Sequence, residues 1–266
     1  MILSKPSCSA DPPHIWWCVA GPLAFLPLHA AGIYNKSAQI NISEYVVSSY
    51  APTLSAIIMA AEKPRNFQGI LTVGQSNTPG QSALPSTTVE LTQIQRRAHT
   101  FGEVSILDGP AASVESVING MKAHSWVHIA CHGIQDRVEP TKSALCLHDG
   151  NLELSTVINQ SFPHADFAFL SACYTAAGDE AVAGEAVHLA AGLMFAGFRG
   201  VIGSMWEIQD KDALVIADKV YSDLFSDAEP DSTKAALALH NAVKFIRQQE
   251  EEPTFLSWLP FVHFGV

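Results

Sequence analysis

Residues 126–136 read WVHIACHGIQD, and the fold turns on how that stretch is understood. Trp126 to Ala130 is a run of buried-strand character that passes straight into Cys131, His132 and Gly133. An unbroken apolar run of this length, without polar alternation, suits a strand covered on both faces, as in a parallel sheet. It ends on histidine, the side chain that titrates most easily near neutral pH. A second run of the same kind, FAFLSAC over 167–173, ends on Cys173. The 41 residues from His132 to Cys173 leave room for a crossover between parallel neighbours. Two parallel strands would then bring an imidazole and a thiol to one edge of a sheet, where ligands gather in such folds.

The segments around these two strands alternate in the same way. FQGILTVG (67–74), GEVSIL, RGVIGSMW (199–206) and HIWWCVA read as strands, with VVSSY a weaker one and WLPFVHFGV a closing one. Between them, 87–99, 111–122, 184–198, 212–225 and 233–249 carry helical patterns. Val89, Ile94 and Ala98 are apolar positions of the first helix, and Leu214, Ala217, Tyr221 and Leu224 share a face of the fourth. QSNTPGQSALPST, after the 67–74 strand, is a polar loop rich in Pro and Gly. SALCLHDGNLEL (143–154) reads as a hairpin turning at Asp149-Gly150. Strands alternating with helices predict an α/β layered fold with a mostly parallel sheet.

Composition narrows the function classes. The chain has 266 residues, 48% hydrophobic and 15% charged, which suits a globular protein with a sizeable core. A formal net charge of −11 repels phosphate backbones and argues against nucleic-acid binding. Five cysteines, none in a CxxC pair, point to reduced thiols and a cytoplasmic protein rather than a disulfide framework. Ile15 to Gly32 lacks Asp, Glu, Lys and Arg, yet Pro22 and Pro27 interrupt it and His29 lies inside it, so a strand, a turn and a short helix are expected, not a membrane span. Residues 1–14 are expected to be an N-terminal segment and 15–266 one domain. No GxGxxG follows the 67–74 strand, so no organic cofactor is expected. Cys131, His132, Cys146 and His148 match no common zinc spacing, so no metal is expected either.

A thiol and an imidazole side by side form a nucleophile with its own base. An imidazolium lowers a thiol's pKa from its usual ~8.5 by several units. The thiolate attacks a carbonyl and the imidazole protonates the leaving amine. The backbone N–H groups of Gly133 and Cys173 are the candidate donors to an oxyanion. His128, within the strand, and His188, on an apolar helix, read as structural. Glu180 and Glu185 suit a helix N-terminus.

HIACHGIQD, FAFLSACYTAAGD, EAVHLAAGLMFAGFRGVIGSMWEIQDKDA and WLPFVHFGV resemble the CHAT domain, a caspase-like peptidase family often joined to tetratricopeptide repeats. The resemblance runs from about Trp16 to the C-terminus, GPLAFLPLHAAG included. It implies a caspase-hemoglobinase-like α/β/α sandwich, a cysteine endopeptidase activity, and His132 and Cys173 as the catalytic dyad. MWEIQDKDA also resembles separases, which implies that Asp210 or Asp212, with Trp206 beside them, binds a basic side chain on the acyl side of the cut. Asp210 has a second reading as a helix N-cap, a role Asp212 could also fill. The implied partners are a protein or peptide substrate and a tetratricopeptide-repeat region or partner that controls it. The competing class is an interaction or signalling module that keeps the dyad but seldom cuts.

Overall fold

The alternation of apolar strands and amphipathic helices resolves into one large sheet with helices on both faces. The computed structural model describes residues 12–21, 23, 26–35, 38–64, 66–134, 136, 138–174, 186–249 and 254–266, with the backbone alone at 35, 38, 39, 173, 174 and 186–188. The strands are β1 (His14–Trp17), β2 (Gly32–Asn35), β3 (Ala38–Asn41), β4 (Val47–Tyr50), β5 (Ile70–Gly74), β6 (Val104–Asp108), β7 (Trp126–Ile134), β8 (Ala144–Cys146), β9 (Asn151–Glu153), β10 (Phe167–Tyr174), β11 (Gly200–Ser204) and β12 (Phe261–Gly265). The helices are α1 (Leu54–Glu62), α2 (Thr87–Ala98), α3 (Val114–Ala123), α4 (Leu154–Ile158), α5 (Ala186–Ala196), α6 (Asp210–Leu224), α7 (Ala235–Gln249) and α8 (Phe255–Trp258).

The sheet runs β1-β4-β12-β11-β10-β7-β5-β6. All neighbours pair in parallel except β11 and β12, which are antiparallel. β8 pairs antiparallel with the end of β7 and carries β9, while β2 and β3 form a separate hairpin. The central strands are buried on both faces, which is why they read as continuous apolar runs rather than alternating ones.

Each pleat sends side chains alternately into two cores. Val127, Ile129 and Cys131 of β7 join Leu71, Met121, Leu189 and Phe198 in one of them. Trp126 lies in the other, with Ile94, Phe167, Phe169, Ile216, Tyr221 and Leu239 from the α2, α6 and α7 side. His128, Ala130 and His132 follow Trp126 at intervals of two and so face α2 and α6.

Several boundaries differ from the sequence reading. β7 does not stop at His132 but runs on to Ile134, because β8 pairs with Gly133 and Ile134 and prolongs it. The hairpin closes one residue earlier than expected: Leu147 N–H donates to Gly150 O at 2.9 Å, so His148 and Asp149 form the tip. The Asp149 carboxylate accepts from Val114 N at 2.8 Å and ties that tip to the start of α3. Val89 is 48% exposed, whereas Glu90 faces the core with Ile94 and Ala98. Among the described residues, no helix is long and apolar enough to cross a membrane. Among the described residues, Ile15–Gly32 holds most of β1 and, near its end, the 3-10 turn at Leu28–Ala30.

Candidate active site

β7 and β10 are parallel neighbours, and their register sets His132 opposite Cys173. Ala130 lies opposite Ser171, Cys131 opposite Ala172, and Gly133 opposite Tyr174. Adjacent strands are ~4.8 Å apart, so two positions separated by 41 residues of chain become immediate backbone neighbours. Both lie toward the carboxyl ends of their strands, the edge at which α2 and α6 begin. Those two helices start side by side, and their N-termini lend positive partial charge to this edge. Residues 175–185, with Glu180 and Glu185, lie outside the described residues, as does the side chain of His188.

His132 is 1% exposed. Its Nε2 is 2.7 Å from the carbonyl oxygen of Ser82, in the loop between β5 and α2. A carbonyl only accepts, so the proton of the neutral ring sits on Nε2, which donates to Ser82. Nδ1 then carries the lone pair, and it has no hydrogen-bond partner among the described residues. The ring is thereby held in the tautomer in which Nδ1 is the base. Ser82 is a position that reading the sequence missed, since it contributes through its backbone and no side-chain pattern marks it.

Below His132, on the same face of β7, a polar group fills the core. His128 Nε2 lies 3.1 Å from Glu90 Oε1, both side chains fully enclosed, in a contact too bent for a linear hydrogen bond. Glu90 Oε2 accepts from Ser171 Oγ at 3.3 Å, and His128 Nδ1 meets Tyr221 OH at 3.2 Å. Burial, and then the Glu90 charge, push the Tyr221 hydroxyl well above its ordinary pKa. The group links β7, β10, α2 and α6. His128 lies in the core, as its place within the strand suggested. Glu90 went unnoticed, although its spacing of four from Ile94 and eight from Ala98 puts a carboxylate on the core face and demands a partner.

Asp210 opens α6, but Gln209 is the N-cap residue, and Asp210 does not cap its own helix. Its Oδ2 accepts the backbone N–H of Ser86 at 2.8 Å, at the entrance to α2. Asp212 is buried two residues further on, its N–H donating to Gln209 O at 2.9 Å. Trp206 lies just beyond β11, half-buried against the core that holds β7. Gly133 sits inside the ladder, opposite Tyr174 on one side and Leu145 on the other. Cys146 is buried in β8 and His148 is exposed at the hairpin tip, so the two are not gathered at one centre. Among the described residues, no three His, Cys, Asp or Glu side chains are arranged to hold a metal ion.

The CHAT domain model matches residues 3–266, nearly the whole chain. This chain belongs to the CHAT domain family. No curated protein matches it. Among solved structures, the Arg-specific cysteine proteinase gingipain R (RGPB) superposes with a TM-score of 0.59 at 13% identity, over 86% of this chain and 56% of that one. The complex of Porphyromonas gingivalis RgpB pro- and mature domains gives 0.55 at 13% identity, covering 83% and 55%. The Saccharomyces cerevisiae separase–securin complex gives 0.54 at 11% identity, covering 83% of this CHAT chain but 14% of that one. At such identities the likeness establishes the fold: the CHAT domain here has the α/β architecture of caspase-like cysteine peptidases. The chain spans little more than half of the gingipain chain and a seventh of the separase one.

Proposed function

We propose that this CHAT domain is a cysteine endopeptidase in which Cys173 is the nucleophile and His132 the base. The observation that carries the reading is the register of β7 and β10, which sets Cys173 beside a buried histidine whose Nε2 is already committed to Ser82. In this reading, His132 Nδ1 takes the thiol proton and the thiolate adds to the peptide carbonyl. The backbone N–H groups of Gly133 and Cys173 hold the oxyanion. The tetrahedral intermediate collapses as the imidazolium returns its proton to the departing amine, leaving a thioester on Cys173. Water, deprotonated by His132, then releases the acid and restores the thiol.

Asp210, with Asp212 and Trp206 beside it, is the proposed recognition point for a basic side chain on the acyl side of the cut. Two acidic residues in the first turn of α6 supply the charge, and arginine pairs well with a carboxylate there. Control by a tetratricopeptide-repeat region or a protein partner belongs to the same reading.

Turnover of a peptide library by the purified protein, with Cys173→Ala as control, tests it. The variant is expected to lose cleavage, and undiminished turnover removes Cys173 from the mechanism. Asp210→Ala is expected to lower the preference for Arg or Lys over neutral residues. An unchanged ratio of kcat/KM values removes Asp210 from the pocket.

A further inference from the structure

The loop over 75–86 presents the Ser82 carbonyl to His132, and its geometry shows how it is held. At its start, Gln75 is buried and its N–H donates to Ala130 O on β7 at 2.9 Å, two residues before His132. Gln75 Nε2 turns back onto Asn77 O at 3.0 Å. Within the loop, Gln81 N–H donates to Thr78 O at 3.1 Å and Leu84 N–H to Ser76 O at 2.9 Å, so 76–84 closes on itself with Ser82 inside. Leu84 is buried and anchors the closed end. At the exit, the Ser86 N–H is taken by Asp210 Oδ2 at 2.8 Å, from a residue 124 positions away. A carboxylate accepting from a backbone N–H makes one of the stronger hydrogen bonds available.

We infer that Asp210 is a positioning residue for His132, acting through Ser86 and the 75–86 loop to hold the Ser82 carbonyl against Nε2. The helix that follows the loop does not depend on this contact. α2 is fixed separately by Leu91, Ile94 and Ala98 in the core, by Glu90 on His128, and by the Arg97–Asp218 pair, with Arg97 Nη2 2.7 Å from Asp218 Oδ1. Loss of Asp210 therefore frees the exit of the loop while α2 stays docked. The Ser82 carbonyl is four residues from that exit. Besides the loop's internal ties and its far end, what remains near it is buried Leu84 and the first turn of α2, where Thr87 N–H donates to Leu84 O at 3.3 Å and Glu90 N–H to Ser86 O at 2.9 Å. Asp210 supplies the tie from Ser86 to α6. Freed, it no longer holds the Nε2 proton in one direction. The imidazole then samples both tautomers, and its cation loses an acceptor. The inference rests on the peptidase reading for its consequence, since a fixed Nδ1 base matters only if His132 acts on a thiol.

The test is nuclear magnetic resonance of the full chain carrying nitrogen-15 in its histidine rings, with His132 assigned by comparison with His132→Gln. The wild-type protein is expected to show an Nε2–H signal from His132 protected from exchange. Asp210→Ala is expected to lose that protection. Asp210→Asn, which keeps an oxygen acceptor, is expected to fall between the two. Asp218→Ala, which breaks the other tie between α2 and α6, is expected to leave the His132 signal as in the wild type. An unchanged His132 signal in a folded Asp210→Ala overturns the inference, as does an equal change in Asp218→Ala or the lack of a protected signal in the wild type. Where Asp210→Ala does not fold, Asp210→Asn decides: an unchanged signal there overturns it too. Undiminished peptide turnover by Cys173→Ala would remove the peptidase reading without moving any of these signals, so the two failures are told apart.

Discussion

Removing Glu90 perturbs the centre of the molecule in a way that can be sized. Its carboxylate is enclosed between β7, β10 and α2, meeting His128 Nε2 at 3.1 Å and accepting from Ser171 Oγ at 3.3 Å. Glu90→Ala leaves the Ser171 hydroxyl without its acceptor and His128 without its neighbouring carboxylate, and opens a void where the side chain stood. Breaking a buried pair by deleting one member costs about 3–5 kcal/mol, and the orphaned Ser171 hydroxyl falls within that range. A value of about 4 kcal/mol, at about 2–4 °C of Tm per kcal/mol for a chain of this size, corresponds to a fall of roughly 8–16 °C. Glu90→Gln keeps the volume and one acceptor and is expected to cost about 1–2 kcal/mol. Urea and thermal unfolding of Glu90→Ala, His128→Ala and the double variant form a cycle, with a coupling of at least about 1 kcal/mol expected. Arg97→Ala, at the half-exposed Arg97–Asp218 pair, is the control and should cost less than about 1 kcal/mol. A loss below about 1 kcal/mol for Glu90→Ala, with no coupling to His128, would refute the reasoning.

Two buried histidines make stability depend on pH. Burial holds His29 at about 4 and His263 at about 3, against an ordinary 6.5. The unfolded chain takes up these protons below pH 6.5 while the native protein resists until pH 4 or 3, so stability is full above 6.5 and falls as the pH drops. Each contributes a loss of about 2 kcal/mol between pH 7 and 5, read from urea midpoints at the two pH values. A flat profile, or no flattening in His263→Gln, would count against it. Gly265→Ala tests the join of β11 and β12. Gly265 has φ +101°, and a Cβ there would lie 2.0 Å from Arg199 O, so the variant should lose more than about 2 kcal/mol. Gly80→Ala, with φ +79° and nothing within 4 Å, should lose only the ~1 kcal/mol of backbone strain. Equal losses in thermal unfolding would show that the close contact is not felt.

Much of this was legible because buried parallel strands announce themselves as uninterrupted apolar runs. WVHIACH and FAFLSAC have that form, and the residues that end them, His132 and Cys173, are the ones the register sets opposite each other. Helical spacing likewise marked Leu214, Ala217, Tyr221 and Leu224 as one face, of which Ala217, Tyr221 and Leu224 are buried and Leu214 only half-buried. What stayed hidden was decided by contacts between distant segments. Nothing local distinguishes Ser82 from other loop serines, because only its carbonyl is used. Asp210 reads either as a recognition residue or as a cap, yet its carboxylate turns to Ser86, which the side-by-side start of α2 and α6 makes reachable. Val89 looked like a core position and is exposed, because the buried face of α2 is set by Glu90, Ile94 and Ala98, with a charge where an apolar residue was expected. The end of β7 was misjudged because β8, pairing from beyond the site, extends it.

The most direct measurement of the central claim is the reaction of the native protein with a peptide-like acylating probe, read by mass spectrometry of all five cysteines. The account predicts one equivalent of modification at Cys173, lost on unfolding and strongly slowed in His132→Ala. Labelling spread evenly over the cysteines, or reaction at Cys173 at the same rate without His132, would contradict it.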